Sequence, residues 1–438
     1  MGGESPPYKM AKLDKFITKH KDLLALNPKI GKVITERCWD FLSESNDATK
    51  GHLGDLWEKN VRKNIKAGLW DKYGGIHDDL RQFGFNKALI AVGGGPSFNK
   101  NKHILKRIVD SDGVKGWEDR DFYVVASNHQ YKPLLEEGII PDFVTLADAS
   151  EVVFDQLCVD VPKSGRNTVM LTGLHSSPKV LKEWTKQGRD IRFYINRTVG
   201  QPELFKKMTH KNPEPYSCIA GGNVLNTIWS LSMRYLGSTV FIAVGNDLCF
   251  PVKDDVEDQR ATFYADGNYS ANAPKTGTGR DEARSPKRWM GINGLEKSKI
   301  IIDAPTNEHY NIDIGVQGVP LQFWTYKTWM ESQIMIHEAG PRPFHYFNCT
   351  EGGTLGVLNK DPDNVEKNYK DIDSWYLMDE MTKRYHTAML EDAAVWFVAA
   401  KARLKHARID APSVTSLGNL ISPITGAHPA IRKLTMGL

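Results

Sequence analysis

The stretch Ala88-Leu-Ile-Ala-Val-Gly93-Gly94-Gly95-Pro96-Ser97-Phe98-Asn99 constrains this chain more than any other. Its apolar run, with no polar alternation, reads as a strand buried on both faces, the habit of a parallel sheet. Three glycines, Pro96 and Ser97 come next, and then the helix-like segment His103-Ile-Leu-Lys-Arg-Ile-Val109. Glycines at the carboxyl end of a strand let backbone N–H groups turn toward a ligand. The helix behind them adds the positive end of its dipole. A phosphate suits such a turn. The spacing fits neither the dinucleotide fingerprint nor the P-loop, since no third spaced glycine and no Gly-Lys-Ser/Thr occurs. A tight strand–helix turn without a ligand is the competing reading.

Similar runs recur at Phe122–Ser127, Phe143–Ala147, Thr168–Thr172, Ile191–Ile195 and Thr239–Val244, with helices expected between them, as at Ser177–Gln187 and Asn223–Leu236. Alternating strands and helices imply a parallel sheet wound by right-handed crossovers. The expected fold class is therefore α/β: a Rossmann-like, mostly parallel sheet with helical regions at both ends. Residues 1–85 read as a helical N-terminal region, with apolar residues at helical spacing in Leu53–Ile65. Residues 86–358 read as the central Rossmann-like domain and 359–438 as a helical C-terminal region, with a helix over Thr382–Ala407. Within the middle part, 251–297 is a long polar insertion, a functional loop or a disordered one. Beyond it the pattern predicts a strand at Ile300–Ile302, a helix over Leu321–Met335 and a strand at Phe344–Asn348.

Composition narrows the function classes. A net charge of +4 over 438 residues favours neither nucleic acid nor a membrane surface as partner. The cluster Lys206, Lys207, His210 and Lys211 reads as a solvated helix face, with an anion site as the other reading. Cys38, Cys158, Cys218, Cys249 and Cys349 are scattered, odd in number and without CxxC spacing, which argues for a reducing compartment. No signal core stands at the start, and no apolar run of about 18 residues offers a membrane span. The expected location is cytoplasmic.

Ligands of an open parallel sheet sit off the carboxyl ends of its strands. The residues just past each strand are therefore the candidate site: Gly93, Gly94, Gly95, Pro96 and Ser97 after the first, then Asn128 and His129, then Asp148. Next come His175 and Ser176, the pair Gly221-Gly222 with Asn223, and Gly245 with Asp247. Each has a plainer reading. A strand-end Asp caps helices, His175 suits a buried carbonyl, and Glu351, a further candidate to bond a substrate hydroxyl, could bond a helix N-terminus instead. The aromatic run Phe323–Trp329 reads as core packing before it reads as a stacking platform.

Five ordered blocks carry a family resemblance. They are Gly93-Gly-Gly-Pro-Ser-Phe-Asn, Gly138-Ile-Ile-Pro-Asp-Phe-Val-Thr-Leu-Ala-Asp148, Gly221-Gly-Asn-Val-Leu-Asn, Leu236–Leu248 and Thr350-Glu-Gly-Gly-Thr-Leu-Gly356. Over roughly 86–358 the chain resembles the DUF115 family, which holds the flagellar motility-associated factors and an archaeal 6-hydroxymethylpterin diphosphokinase. The Glu351-Gly-Gly block resembles the longer, motility-factor branch. Those factors are similar in fold to bacterial sialyltransferases, whose first strand also ends in a Gly-x-Gly-Pro-Ser turn holding a CMP-sugar. Asn246 departs from the pattern, standing where the motility factors usually carry Gln.

The resemblance implies a transferase with a nucleotide phosphate held at one strand edge. In glycosyl transfer from a CMP-activated nonulosonic acid to a hydroxyl acceptor, the turn and Ser97 would stabilise the leaving phosphate. His175 or His129 would serve as acid or base. In pyrophosphoryl transfer from ATP to a pterin-like alcohol, Asp148 and Asp247 would hold Mg²⁺ across the phosphates. A non-catalytic nucleotide-binding protein is a third reading, because fold does not dictate function.

Overall fold

A computed structural model describes residues 39–251, apart from 117–118, 162–166, 198–199 and 249. Beyond them it describes 299–300, 317–318, 326–327, 329–331, 333–334, 345–350, 353, 355, 386–387 and 389–406. The continuously apolar runs become the strands of one sheet: β1 (Ala88–Val92), β2 (Phe122–Ser127), β3 (Phe143–Leu146), β4 (Val169–Gly173) and β5 (Ile191–Asn196). It is completed by β6 (Ser217–Cys218), β7 (Val240–Val244), β11 (His345–Asn348) and β12 (His386–Thr387). Every residue of β1 and β7 is buried, as strands covered on both faces require.

The spatial order is β12-β11-β7-β1-β2-β3-β4-β5-β6, and every pairing is parallel. From β1 the chain steps outward strand by strand to β6. It then returns across the sheet to lay β7 on the other side of β1. Strand order thus reverses between β1 and β7, which places a crevice at their carboxyl ends. A separate antiparallel sheet joins β8 (Phe250–Pro251), β10 (Gln317–Gly318) and β9 (Lys299–Ile300). The strand expected at Ile300–Ile302 is β9 as far as Ile300, and it belongs to this small sheet. The rest of that strand, and all of 251–297 except Pro251, lies outside the described residues.

The helices are α1 (Trp39–Lys66), α2 (Leu69–Tyr73), α3 (Ile76–Asp79), α4 (Phe98–Gly113), α5 (Asn128–Glu136), α6 (Phe154–Leu157), α7 (Pro178–Lys186), α8 (Gln201–Thr209), α9 (Val224–Leu231) and α10 (Leu390–His406). Residues Ser232–Leu236 prolong α9 as a π-helix. Alternation along the strands splits the core between two faces. On one, Ile90, Val124 and Ile242 pack with Leu105 of α4 and Phe397 of α10. The same face continues over β3–β5, where Val144 and Phe193 meet Val61 of α1, Trp70 of α2 and Trp184 of α7. On the opposite face Leu89, Val125 and Phe241 pack with Ile228 and Trp229 of α9. Described residues before 85 and after 358, among them Val61, Trp70 and Phe397, therefore share the cores built on the central sheet.

The helix expected over Thr382–Ala407 is corrected at its start. His386–Thr387 is β12, paired with Phe347 and Asn348, and α10 begins only at Leu390. Two residues at a sheet edge owe their conformation to ladder hydrogen bonds from a distant strand, which local periodicity does not register. The two-residue β6 leaves no periodic signal for the same reason.

Candidate nucleotide site at the strand reversal

Helix α4 follows β1, and α9 precedes β7, so both run antiparallel to the strands they serve. Both N-termini therefore lie at the carboxyl edge. They stand on opposite faces, because α4 and α9 belong to opposite cores. The N-terminus of α4 opens directly beside the β1 end of the crevice, whereas α9 lies across β1–β3 on the other face. Asn223 caps α9 by accepting the Asn226 N–H at 2.8 Å. Gly221 and Gly222 ahead of it take φ of +66° and +91°. They can do so because they lack Cβ atoms, which would collide with Trp329 and Tyr326.

The turn after β1 is locked to the turn after β7. Gly93 N–H donates to Val244 O at 2.8 Å, and Gly95 N–H to Gly245 O at 2.9 Å. Ser97 donates its N–H to Asp247 Oδ2 at 3.0 Å and its hydroxyl to Oδ1 at 2.5 Å. The loop after β11 closes on the same point. Thr350 Oγ1 accepts the Asn246 N–H at 3.2 Å, and Asn101 of α4 donates to Cys349 O at 2.9 Å. Gly353 lies so close to Asp247 that a Cβ there would be 2.6 Å from its Cα. Burial raises the Asp247 carboxyl to about 6, against the pull of the Ser97 bonds and the charge of Lys100. Gly94, Gly95 and Pro96 remain half-buried at the rim. Glu351 lies outside the described residues.

A second group sits elsewhere on the edge. Asp148 follows β3, and its Oδ1 accepts the Ser150 N–H at 2.7 Å in a local turn. His175 follows β4 and is buried, with Nε2–H donating to Ala147 O at 2.9 Å. That bond fixes the proton on Nε2, since a carbonyl only accepts. Burial lowers the His175 pKa, opposed by the Ala147 carbonyl, the Gln201 amide and the Asp148 charge. The neutral ring stands edge-on to Trp57 at 5.8 Å and to Tyr194 at 6.5 Å. Ser176 is buried too, and its carbonyl accepts a bond from Asn64 at 2.9 Å.

Helix α1 makes this cover. Asn60 donates to Ala149 O and His175 O, both at 3.0 Å, and Asn64 to Leu174 O and Ser176 O, both at 2.9 Å. These two asparagines, one helical turn apart, tie α1 over the ends of β3 and β4. Sequence reasoning missed them, although a signal exists: two amides in line with Trp57 and Val61 on the buried face of an amphipathic helix. Periodicity alone marks such a face as packing and does not say what the amides hold.

The structure thus joins Gly93–Ser97, Gly245 and Asp247, and leaves Asp148, His175 and Ser176 apart. The strand ends bearing Asp148 and Asp247 are three positions apart, about 14 Å at 4.7–4.9 Å per strand. One Mg²⁺, with ligands at about 2.1 Å, does not bridge carboxylates so far apart. Among the described residues no group of three or more His, Cys, Asp or Glu could hold a metal. Asn128, at the end of β2 between the two groups, donates to Gln156 Oε1 at 2.7 Å, and His129 meets the Gln156 amide at 3.2 Å. Ser127 and Thr145 face each other across β2 and β3, both buried. Among the described residues their hydroxyls have no hydrogen-bond partner, and neither does Asn226 Oδ1 on α9.

Residues 59–253 match the family described as 6-hydroxymethylpterin diphosphokinase MptE-like. The resemblance read from the motifs is borne out over that span. No curated protein matches the chain. Among solved structures, MAf glycosyltransferase from Magnetospirillum magneticum AMB-1 aligns with a TM-score of 0.41 at 14% identity. The alignment covers 84% of this chain and 50% of that one, so this chain spans about half the length of that protein. Among the described residues no helix is long and apolar enough to cross a membrane.

Proposed function

We propose that this chain is a transferase that binds a nucleotide or nucleotide-sugar through its phosphate at the β1/β7 crevice. The observation that carries the reading is the Gly93–Ser97 turn, set where the strand order reverses and at the N-terminus of α4. Such a place turns the positive end of a helix dipole toward an anion, and Ser97 holds an N–H and a hydroxyl there that already serve the Asp247 carboxylate. The reaction we assign is glycosyl transfer to a hydroxyl acceptor, with a CMP-activated nonulosonic acid as the donor to test first. The motif resemblance supports that donor. The nucleotide's phosphate gains charge as the sugar leaves, and the Ser97 N–H and hydroxyl, once turned to it, would stabilise that charge.

In this reading His175 is a positioning residue. Its Nε2–H is committed to Ala147 O and its ring is closed in by α1, so it holds the loops after β3 and β4 together. Pyrophosphoryl transfer from ATP is the second reading, favoured by the description of the matching family. It needs a metal arrangement other than an Asp148–Asp247 pair. The experiment is a thermal-shift screen of CMP, CDP, UDP, GDP, ATP and AMP, each with and without Mg²⁺. A ligand of the native state raises its stability by RT ln(1 + [L]/Kd). Stabilisation by CMP, independent of Mg²⁺, supports glycosyl transfer. A response to ATP that needs Mg²⁺ supports the second reading, and no response to any nucleotide refutes both.

A further inference from the structure

Ser97 is the residue of the glycine-rich turn best equipped to hold a phosphate. It offers an N–H at the head of α4 and a hydroxyl beside it. Both already serve an anion, since the Asp247 carboxylate accepts the N–H at 3.0 Å and the hydroxyl at 2.5 Å. The fit is built into the backbone. A Cβ on Gly95 would come within 2.1 Å of Asp247 Oδ1, and one on Gly353 within 2.6 Å of the Asp247 carbonyl oxygen. Side chains at either position would drive the carboxylate from its place. Two oxygens of a phosphate make the same demand on an N–H and an O–H as two oxygens of a carboxylate.

We infer that Asp247 is a specificity-determining internal anion, which a ligand's phosphate must displace in order to bind at Ser97. This rests on the reading that the turn takes a nucleotide phosphate. The backbone is jointed for the exchange, because Asn246 and Asp247 lie between two left-handed residues, Gly245 at φ +64° and Leu248 at φ +53°. A left-handed leucine stores strain that a change of loop conformation releases. The chemical consequence is selection by size and contact. A free inorganic anion has only its own charge with which to evict the carboxylate, and the carboxylate repels it. A nucleoside phosphate adds contacts of its base and sugar, which offset the cost of moving the loop. The site would therefore ignore sulfate and inorganic phosphate while accepting nucleotides.

The test measures binding of sulfate and of CMP by calorimetry, with and without Mg²⁺, to the unaltered protein and to Asp247→Asn and Asp247→Ser. Both variants should bind sulfate and CMP tighter by about tenfold or more, the worth of freeing one charge-assisted hydrogen bond and removing one like charge. Mg²⁺ should not alter that gain. Equal or weaker CMP binding in the variants overturns the displacement while leaving the nucleotide reading in place. Weaker binding with loss of a Mg²⁺ requirement makes Asp247 a metal ligand instead. If CMP binds none of the three proteins and the screened nucleotides also fail, the nucleotide reading falls and takes the displacement with it. Should the variants not fold, the Ser97 amide resonance of the unaltered protein decides. It must shift on saturation with CMP, and an unmoved resonance overturns the inference.

Discussion

Replacing Asp247 by Asn should change how the stability of this protein depends on pH, in a direction set by burial. The carboxyl is held at about 6 in the folded protein against an ordinary 3.8. Desolvation of the charge outweighs the two bonds from Ser97 and the field of Lys100. The folded value is the higher one, so between about pH 4 and 6 the native state keeps a proton that the unfolded chain has released. Stability then falls as pH rises through that window. The gap from 3.8 to about 6, at about 1.4 kcal/mol per pH unit, amounts to about 3 kcal/mol. That stabilisation is fully present below about pH 4 and is lost by about pH 6.

Asn is neutral at every pH, so the variant lacks this component and the other carboxylates cancel in the comparison. Melting temperatures of both proteins from pH 4 to pH 7 measure it. The unaltered protein should lose ground to Asp247→Asn by about 3 °C across the window, the order expected for about 3 kcal/mol in a chain of this size. Parallel profiles would refute the argument. So would a gain by the unaltered protein with rising pH, which would mean that the Ser97 bonds and Lys100 outweigh desolvation.

Asn60→Ala removes two donors and strands the buried carbonyls of Ala149 and His175, which should cost about 2–4 kcal/mol in urea unfolding. A loss below about 1 kcal/mol would show that α1 does not brace this rim. His175, its pKa lowered by burial, should contribute stability that is intact above about 6.5 and lost as pH falls, because the unfolded chain then takes the proton more readily. His175→Gln should flatten that part of the profile, and an unchanged slope would mean that the ring is accessible to protons. Gly94→Val should abolish nucleotide-induced stabilisation with little change in the melting point of the free protein. Gly95→Ala should lower that melting point as well, because its Cβ meets both Asp247 Oδ1 and the Gly245 carbonyl oxygen. Equal nucleotide response in Gly94→Val would move the phosphate away from this turn.

The sequence by itself determined the local elements. The runs at Ala88, Phe122, Phe143, Ile191 and Thr239 are strands within a residue or so of where their apolar character begins and ends, and the helices at Ser177 and Asn223 stand where expected. These are short-range consequences of residue type: β-branched and aromatic residues without polar alternation, a proline at the start of α7, an asparagine cap on α9. The strand ends were also legible as the candidate edge, because ligands of a wound parallel sheet sit off the carboxyl ends of its strands. Which strand ends meet was decided by tertiary structure alone. Ser97 and Asp247 lie 150 residues apart in the chain and 2.5 Å apart in space, because β7 returns to the side of β1 that β2 leaves open. Asp148 and His175 look, in the sequence, like equal members of the same edge. Three strands of spacing and the asparagines of α1 put them in a separate, covered rim. Residue patterns along a chain report which groups face inward, but strand order is a choice among long-range pairings of similar local strength, and only packing of the whole sheet makes it.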